Sequence, residues 1–460
     1  WLADSQNINP WLRGISGIGM AISFAVMVTG GSNVFLMLAL WILYHSLVNV
    51  GQRWYGFGWE SQLLETGFIS IFMVPFFSLN PLPAGCPTSW VSIWAMRWLT
   101  FRIMIGAGMI KMRGDSCWRD LTAMCYHYET QPVPNPVSYY LHRTPLWFHK
   151  FETMMNHIIE LVVPFFLVAP FRSVIVMGGL VQIMFQGVLI VSGNLSFLNW
   201  LTAIPPIMCL DDQFLAPLFS ASTVARVVEL NAQPWVPGVV NIIREGAYGA
   251  FAALVLWLSA PVIQNLFSPN QVMNTAFGSW RLVNTYGAFG SITRIREEVI
   301  LKGTYDELWA AREPHWEEYE FKVKPGDIRR RPPVISPYHY RLDWLMWFLP
   351  FGDSRRHPWL YHLIGKLLVN DEGVTTLMSR NPFHDREPPK YIKADIYVYE
   401  YTEPSSPEAK KGNWWKRQKK GTYLAPMSLD SLESVFQQFE WAWPPDPRLE
   451  PEQPSKAKAE

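Results

Sequence analysis

The stretch GAYGAFAALVLWLSAPVIQNLF, Gly246–Phe267, decides the fold, because it carries no charged side chain from end to end. A helix of that length spans the ~30 Å hydrocarbon core of a bilayer. On either side of it the composition changes. Residues 1–267 hold 12 Lys/Arg and 12 Asp/Glu, whereas residues 268–460 hold 27 and 26. A soluble core of that size is rarely so poor in charge while repeating long apolar runs, and a bilayer accounts for both features. The expected fold class is an α-helical polytopic membrane bundle of five to eight spans, followed by a mixed α+β soluble C-terminal domain.

Candidate spans are Leu12–Gly30, Val34–Val50, Leu64–Leu79, Trp90–Ile110, His157–Ala169, Val174–Ser192, Leu195–Leu210 and Gly246–Phe267. Thr144-Pro145 supplies an N-cap and a first-turn proline, so a single helix is predicted from Pro145 to near Pro170. Trp11, Trp54, Trp59, Trp90, Trp147 and Trp200 lie beside apolar runs, as interfacial rings do. Within the 1–267 membrane domain, the loop 111–156 is interrupted by Pro132, Pro134 and Pro136, which forbid a continuous helix. Past residue 268, Glu298–Gly303, Tyr319–Lys324 and Lys393–Tyr401 read as strands, and Tyr340–Phe348, Trp359–Leu368 and Leu429–Phe436 as helices. A soluble domain over 268–443 and a Pro- and charge-rich disordered tail over 444–460 are expected. Trp1 in place of an initiator Met reads as the start of a fragment.

A net charge of +1 gives no electrostatic footprint for nucleic acid. The basic run Lys416-Arg417-Gln418-Lys419-Lys420 reads as a solvated loop. Arg97, Arg102 and Lys111 fall in or at the end of one span, and His149, Glu152, Asn156 and Glu160 recur at helical spacing in the next helix. Charges at bilayer depth face the bundle interior and take partners. They form either a polar site between helices or an Arg–Glu network that fixes packing, and the second is the more economical reading. His127, His142, His149 and His157 show no ligand spacing diagnostic of a metal, and no metal is expected. Nucleophile-elbow, phosphate-loop and dinucleotide patterns do not occur in a strand–turn–helix setting. Cys117 and Cys125 could pair if their loop faces an oxidising lumen. Asn194-Leu195-Ser196 is a sequon close to the membrane.

Five runs carry a family likeness. They are LWILYHSLVNVGQRWYGFGWESQLLETGF (Leu40–Phe68), GDSCWRDLTAMCYHYETQPVPNPVSYYLHRTPLWFHKFE (Gly114–Glu152), VSGNLSFLNWLT (Val191–Thr202), VNTYGAFGSIT (Val283–Thr293) and ISPYHYRLDWLMWF (Ile335–Phe348). In order and wording they resemble the lipase maturation factor family. The resemblance implies an endoplasmic-reticulum membrane protein that assists folding, dimer assembly and secretion of homodimeric lipases (lipoprotein, hepatic and endothelial lipase). It implies a lumenal C-terminal domain, no catalysis and no cofactor, with the bilayer and other lumenal folding factors as further partners. Clients would then meet aromatic anchors of the loop: Trp118, Tyr126, Tyr139, Tyr140, Trp147 and Phe148.

A shorter likeness competes. Ala107-Gly108-Met109-Ile110-Lys111 resembles the helical core of the vitamin-K-dependent carboxylase, which would imply a membrane enzyme acting on a lipid or quinone through Lys111. Lys111 at a helix end also reads as a snorkelling side chain. With Lys111 and the C-terminal domain both lumenal, three crossings precede the connector 211–245 and one follows it.

Overall fold

The computed structural model describes residues 8–233, 238–309 and 312–445. Nearly all of the expected disordered tail, 444–460, lies outside them. Contacts divide the chain into a helical unit, residues 1–125 with 144–292, and a second unit, residues 126–143 with 293–460.

Among the described residues of the helical unit, five helices are long and apolar enough to cross a membrane. These are Ile8–Thr29, Val34–Tyr55, Trp90–Arg113, Arg172–Ser192 and Val239–Phe267. They match five of the eight expected runs, and the other three take different forms. Gly58–Ile71 is a short helix that buries Glu60, Gln62 and Glu65, and the chain beyond Phe72 leaves the helical path. The helix begun at Leu146 ends at Leu161 and is followed by a separate turn, Pro164–Leu167. The proline in that second turn has no N–H to continue the first. Leu195–Leu210 breaks into Leu198–Thr202 and a 3-10 turn, Pro205–Cys209, where two adjacent prolines interrupt the backbone ladder.

Trp90–Arg113 is the central helix of this unit. Its Ala95, Met96, Leu99, Ile103 and Met104 are buried with Ile69, Phe185 and Phe251. The unit continues past residue 267. Asn265 exchanges two 2.9 Å hydrogen bonds with Val272, and the Ile292 N–H donates to Asp115 at 2.6 Å. The boundary therefore falls at 292/293 instead of 267/268, because 268–292 hydrogen bonds back into the helices.

The second unit is built on a four-stranded antiparallel sheet of order β2-β1-β5-β6. Its strands are β1 Arg296–Thr304, β2 Glu317–Glu318, β5 Tyr391–Tyr401 and β6 Trp415–Met427; β3 Glu320–Phe321 and β4 Met378–Arg380 form a separate pair. One sheet face buries Val299, Leu301, Ile392 and Ala394 against Leu342, Met346, Leu360 and Ile364 from the helices Arg341–Trp347 and Trp359–Leu368. Part of the other face packs Ile300, Tyr399, Tyr401 and Trp415 with Tyr139. The segment Tyr126–Arg143, expected within a membrane-domain loop, belongs to this unit. Arg296 holds it by donating to the carbonyls of Glu129, Gln131 and Pro132 at 2.9, 2.5 and 3.0 Å. The basic run 416–420 is strand β6, not a loop. Its cations pair with acids of other strands, Lys416 with Glu400 of β5 and Arg417 with Glu318 of β2.

Candidate functional site

The polar residues of the helical unit fall into separate buried sets. The first centres on Glu65, 1 % exposed. Arg102 forms an ion pair with it. The Asn284 backbone N–H, the Asn284 amide and the Tyr286 hydroxyl donate to its other oxygen at 3.1, 3.0 and 2.6 Å. Arg102 also donates to the Asn284 carbonyl at 2.8 Å. This carboxylate is thus compensated by a cation and three neutral donors, which a buried charge requires.

The second set lies at the end of the central helix. Lys111 Nζ sits 2.5 Å from Glu160 Oε1 and 3.2 Å from Asn156 Oδ1, while Asn156 donates to Glu160 Oε2 at 2.9 Å. Trp118 lies over the ammonium with its ring centre 4.8 Å away. Its indole N–H donates to the Phe289 carbonyl at 2.7 Å. His157 meets the Trp118 carbonyl at 2.9 Å. The spacing of Asn156 and Glu160 puts both side chains on one helix face. Gly108 lets that helix approach: a Cβ there would meet Leu161 Cδ2 at 2.6 Å and Glu160 Cβ at 3.1 Å.

The remaining members stand apart. Arg97 donates to the Met208 carbonyl at 3.0 Å. His149 pairs with Glu152 at 3.4 Å. Of the predicted residues Arg97, Arg102, Lys111, His149, Glu152, Asn156 and Glu160, the structure brings Lys111, Asn156 and Glu160 together in one set and His149 with Glu152 in another. The residues missed from sequence are Glu65, Asn284 and Tyr286. Glu65 lies in a run read as a span, and Asn284 in a run beyond the expected membrane boundary.

The aromatic candidates divide. Trp118 and Tyr139 are buried, so neither is free to anchor a client. Trp118 roofs Lys111, and the Tyr139 hydroxyl donates to the Thr402 carbonyl at 3.0 Å. Tyr140 and Trp147 are exposed, and Tyr126 and Phe148 are half-buried. The second unit also carries a cleft of about 310 Å³ lined by Arg294, Ile295, Trp347, Pro350 and Phe351. Its aromatic wall is a T-shaped pair, Trp347 and Phe351, with ring centres 4.7 Å apart.

Cys117 and Cys125 are not joined in a disulfide; each is carried by a different short helix, Ser116–Arg119 and Met124–Thr130. Burial holds the Cys125 thiol above its ordinary pKa. Asn194 is buried, which closes the sequon to a glycan in the folded chain. His127 and His142 belong to the second unit, and His149 and His157 to the helical one. Among the described residues no three His, Cys, Asp or Glu side chains gather as metal ligands.

A helical unit with five candidate membrane spans and buried ion pairs, joined to an α+β unit, defines a multi-pass membrane protein. The "Lipase maturation factor transmembrane domain" profile matches residues 1–217, and the "Lipase maturation factor C-terminal domain" profile matches residues 282–425. The chain belongs to the lipase maturation factor family. Lipase maturation factor 1 of Bos taurus is 52 % identical over 96 % of this chain and 80 % of the relative. The Homo sapiens protein of that name is also 52 % identical, over 96 % of this chain and 79 % of the relative. Lipase maturation factor 2 of Homo sapiens is 28 % identical over 88 % of the chain and 71 % of the relative. No solved structure matches this chain.

Proposed function

We propose that this protein is a non-catalytic maturation factor of the endoplasmic-reticulum membrane, promoting folding, dimer assembly and secretion of homodimeric lipases. Lipoprotein, hepatic and endothelial lipase are the proposed clients, met on the lumenal side by the C-terminal unit. The observation that carries this reading is the 52 % identity to lipase maturation factor 1 across 96 % of the chain.

Physical features support it. A folding lipase monomer exposes the apolar face that becomes its dimer interface, and holding that face favours assembly over aggregation. Tyr140, exposed on the second unit, and the Trp347/Phe351 cleft offer aromatic contacts suited to such a face. Lys111 is engaged by Glu160, Asn156 and Trp118, an arrangement suited to fastening helices. The competing reading, a membrane enzyme acting on a lipid or quinone through Lys111, requires that ammonium to leave its partners.

The test is secretion from cells lacking the endogenous factor, with and without a full-length version of this protein. Rescue of lipase activity per unit of lipase mass is expected. A correctly located, well-expressed protein that rescues none would overturn the assignment.

A further inference from the structure

Four cations gather on one half of the sheet face that also carries Ile300 and Tyr399. Lys302 of β1 is the direct cross-strand partner of Lys393 in β5, and in β6 Arg417 and Lys419 lie opposite Tyr399 and Tyr397. Three of the ammoniums share one buried carboxylate: Lys419, Lys302 and Lys393 lie 2.9, 3.5 and 3.8 Å from Asp395. Glu318 takes Lys302 at 3.0 Å and Arg417 at 2.9 Å. Among the described residues, these four cations therefore have two carboxylates in ion-pair reach.

The arrangement is poor for stability. Like charges directly opposed across strands are destabilising, and Lys302 and Lys393 are such a pair. The two are not equally compensated. Lys302 donates to the Tyr397 hydroxyl at 2.6 Å and pairs closely with Glu318. Lys393 has only the outermost share of Asp395, with its ammonium 4.0 Å from the Trp316 ring centre. Its pKa is lowered by burial, opposed by Asp395 and reinforced by Lys419 and Lys302. Lys419 is half exposed, with 46 % of its side chain accessible.

We propose that this half of the sheet face is a docking site for an acidic, extended peptide segment of a protein partner, its carboxylates received by Lys393 and Lys419. The charge imbalance supplies the complementarity. An extended peptide matches cations spread over adjacent strands, because its alternate side chains meet a strand surface at similar spacing. Half-buried Trp316 adds flat apolar surface beside the Lys393 ammonium. The site stands on the sheet geometry and is independent of which client the protein serves.

The test uses the full chain in neutral-lipid nanodiscs, titrated with a fluorescent decapeptide of alternating glutamate and glycine. Saturable binding is expected, weakening about tenfold or more in Lys393→Gln/Lys419→Gln, as loss of a charged rim does, and falling steeply as salt is raised. Lys410→Gln/Lys411→Gln, which removes the same charge from exposed positions elsewhere, should bind as the unaltered chain does. Equal weakening in both double variants, or no saturable binding, would overturn the proposal. Tighter capture of anionic vesicles or a heparin oligosaccharide than of peptide, dependent on Lys393 and Lys419, would overturn the assignment to a peptide. If Lys393→Gln/Lys419→Gln does not fold, the salt series on the unaltered chain decides, and salt-insensitive binding would contradict the site.

Discussion

Glu65 shows what a single charge costs and what satisfies it in this bundle. Replacing it with Gln strips Arg102 of its counter-charge in a buried setting, a loss of about 3–5 kcal/mol. Glu65→Gln should therefore lower the thermal midpoint of the nanodisc-held protein sharply, whereas Glu65→Leu with Arg102→Leu should recover most of that loss. A double variant as unstable as the single one would mean that the pair is not the source of the effect. In the second unit, both ring nitrogens of His339 are buried, and burial, reinforced by Arg341, pushes its pKa down to about 3. The folded pKa lies below the unfolded value of about 6.5, so the unfolded chain binds the extra proton across that window. The contribution to stability is complete above pH ~6.5 and is lost as pH falls toward 3. Hydrogen-exchange protection in the adjoining Arg341–Trp347 helix should decline over that range, and His339→Gln should flatten the decline. An unchanged slope in the variant would assign the acid sensitivity elsewhere.

At the level of elements, the Leu146–Leu161 helix is amphipathic with its polar side inward. His149, Thr153 and Glu160 are buried, while Trp147, Phe151, Met154 and Ile158 form an exposed apolar stripe. In a membrane bundle such a stripe faces lipid. Ile158→Lys should cost ~2.5–3.5 kcal/mol at bilayer depth and reduce the membrane-integrated yield several-fold. Normal integration would place that face in water. The long charge-free helices were legible in the sequence because length and composition alone define them. The shorter apolar runs were not, since a buried 14-residue helix such as Gly58–Ile71 has the same local hydropathy as part of a span. Strand β6 was misread as a loop because its lysines mask the strand pattern; their acidic partners Glu400 and Asp395 lie on β5, which sequence proximity does not reveal.

Across the whole molecule, the chain contributes Tyr126–Arg143 to the second unit and then returns to the helical one. Nothing in the composition of that segment signals the exchange. It rests on Arg296 reaching carbonyls more than 160 positions earlier in the chain, a pairing that local sequence cannot register. Lys111, Arg102 and Glu160 could be singled out as charges within or beside apolar helices, whereas Glu65, absorbed in a run read as a span, could not be named as the partner of Arg102. Family membership was readable from the wording of the five quoted runs. This family member is proposed to act as a folding factor without chemistry at Lys111. Removing Lys111 alone would leave Glu160 buried without its cation, so loss of function there would be ambiguous. The direct measurement is secreted lipase activity per unit mass from factor-deficient cells expressing Lys111→Met/Glu160→Met, which replaces the pair by apolar side chains. Rescue equal to that of the unaltered protein is the predicted result; loss of rescue by a double variant that accumulates normally and still captures lipase would contradict the account.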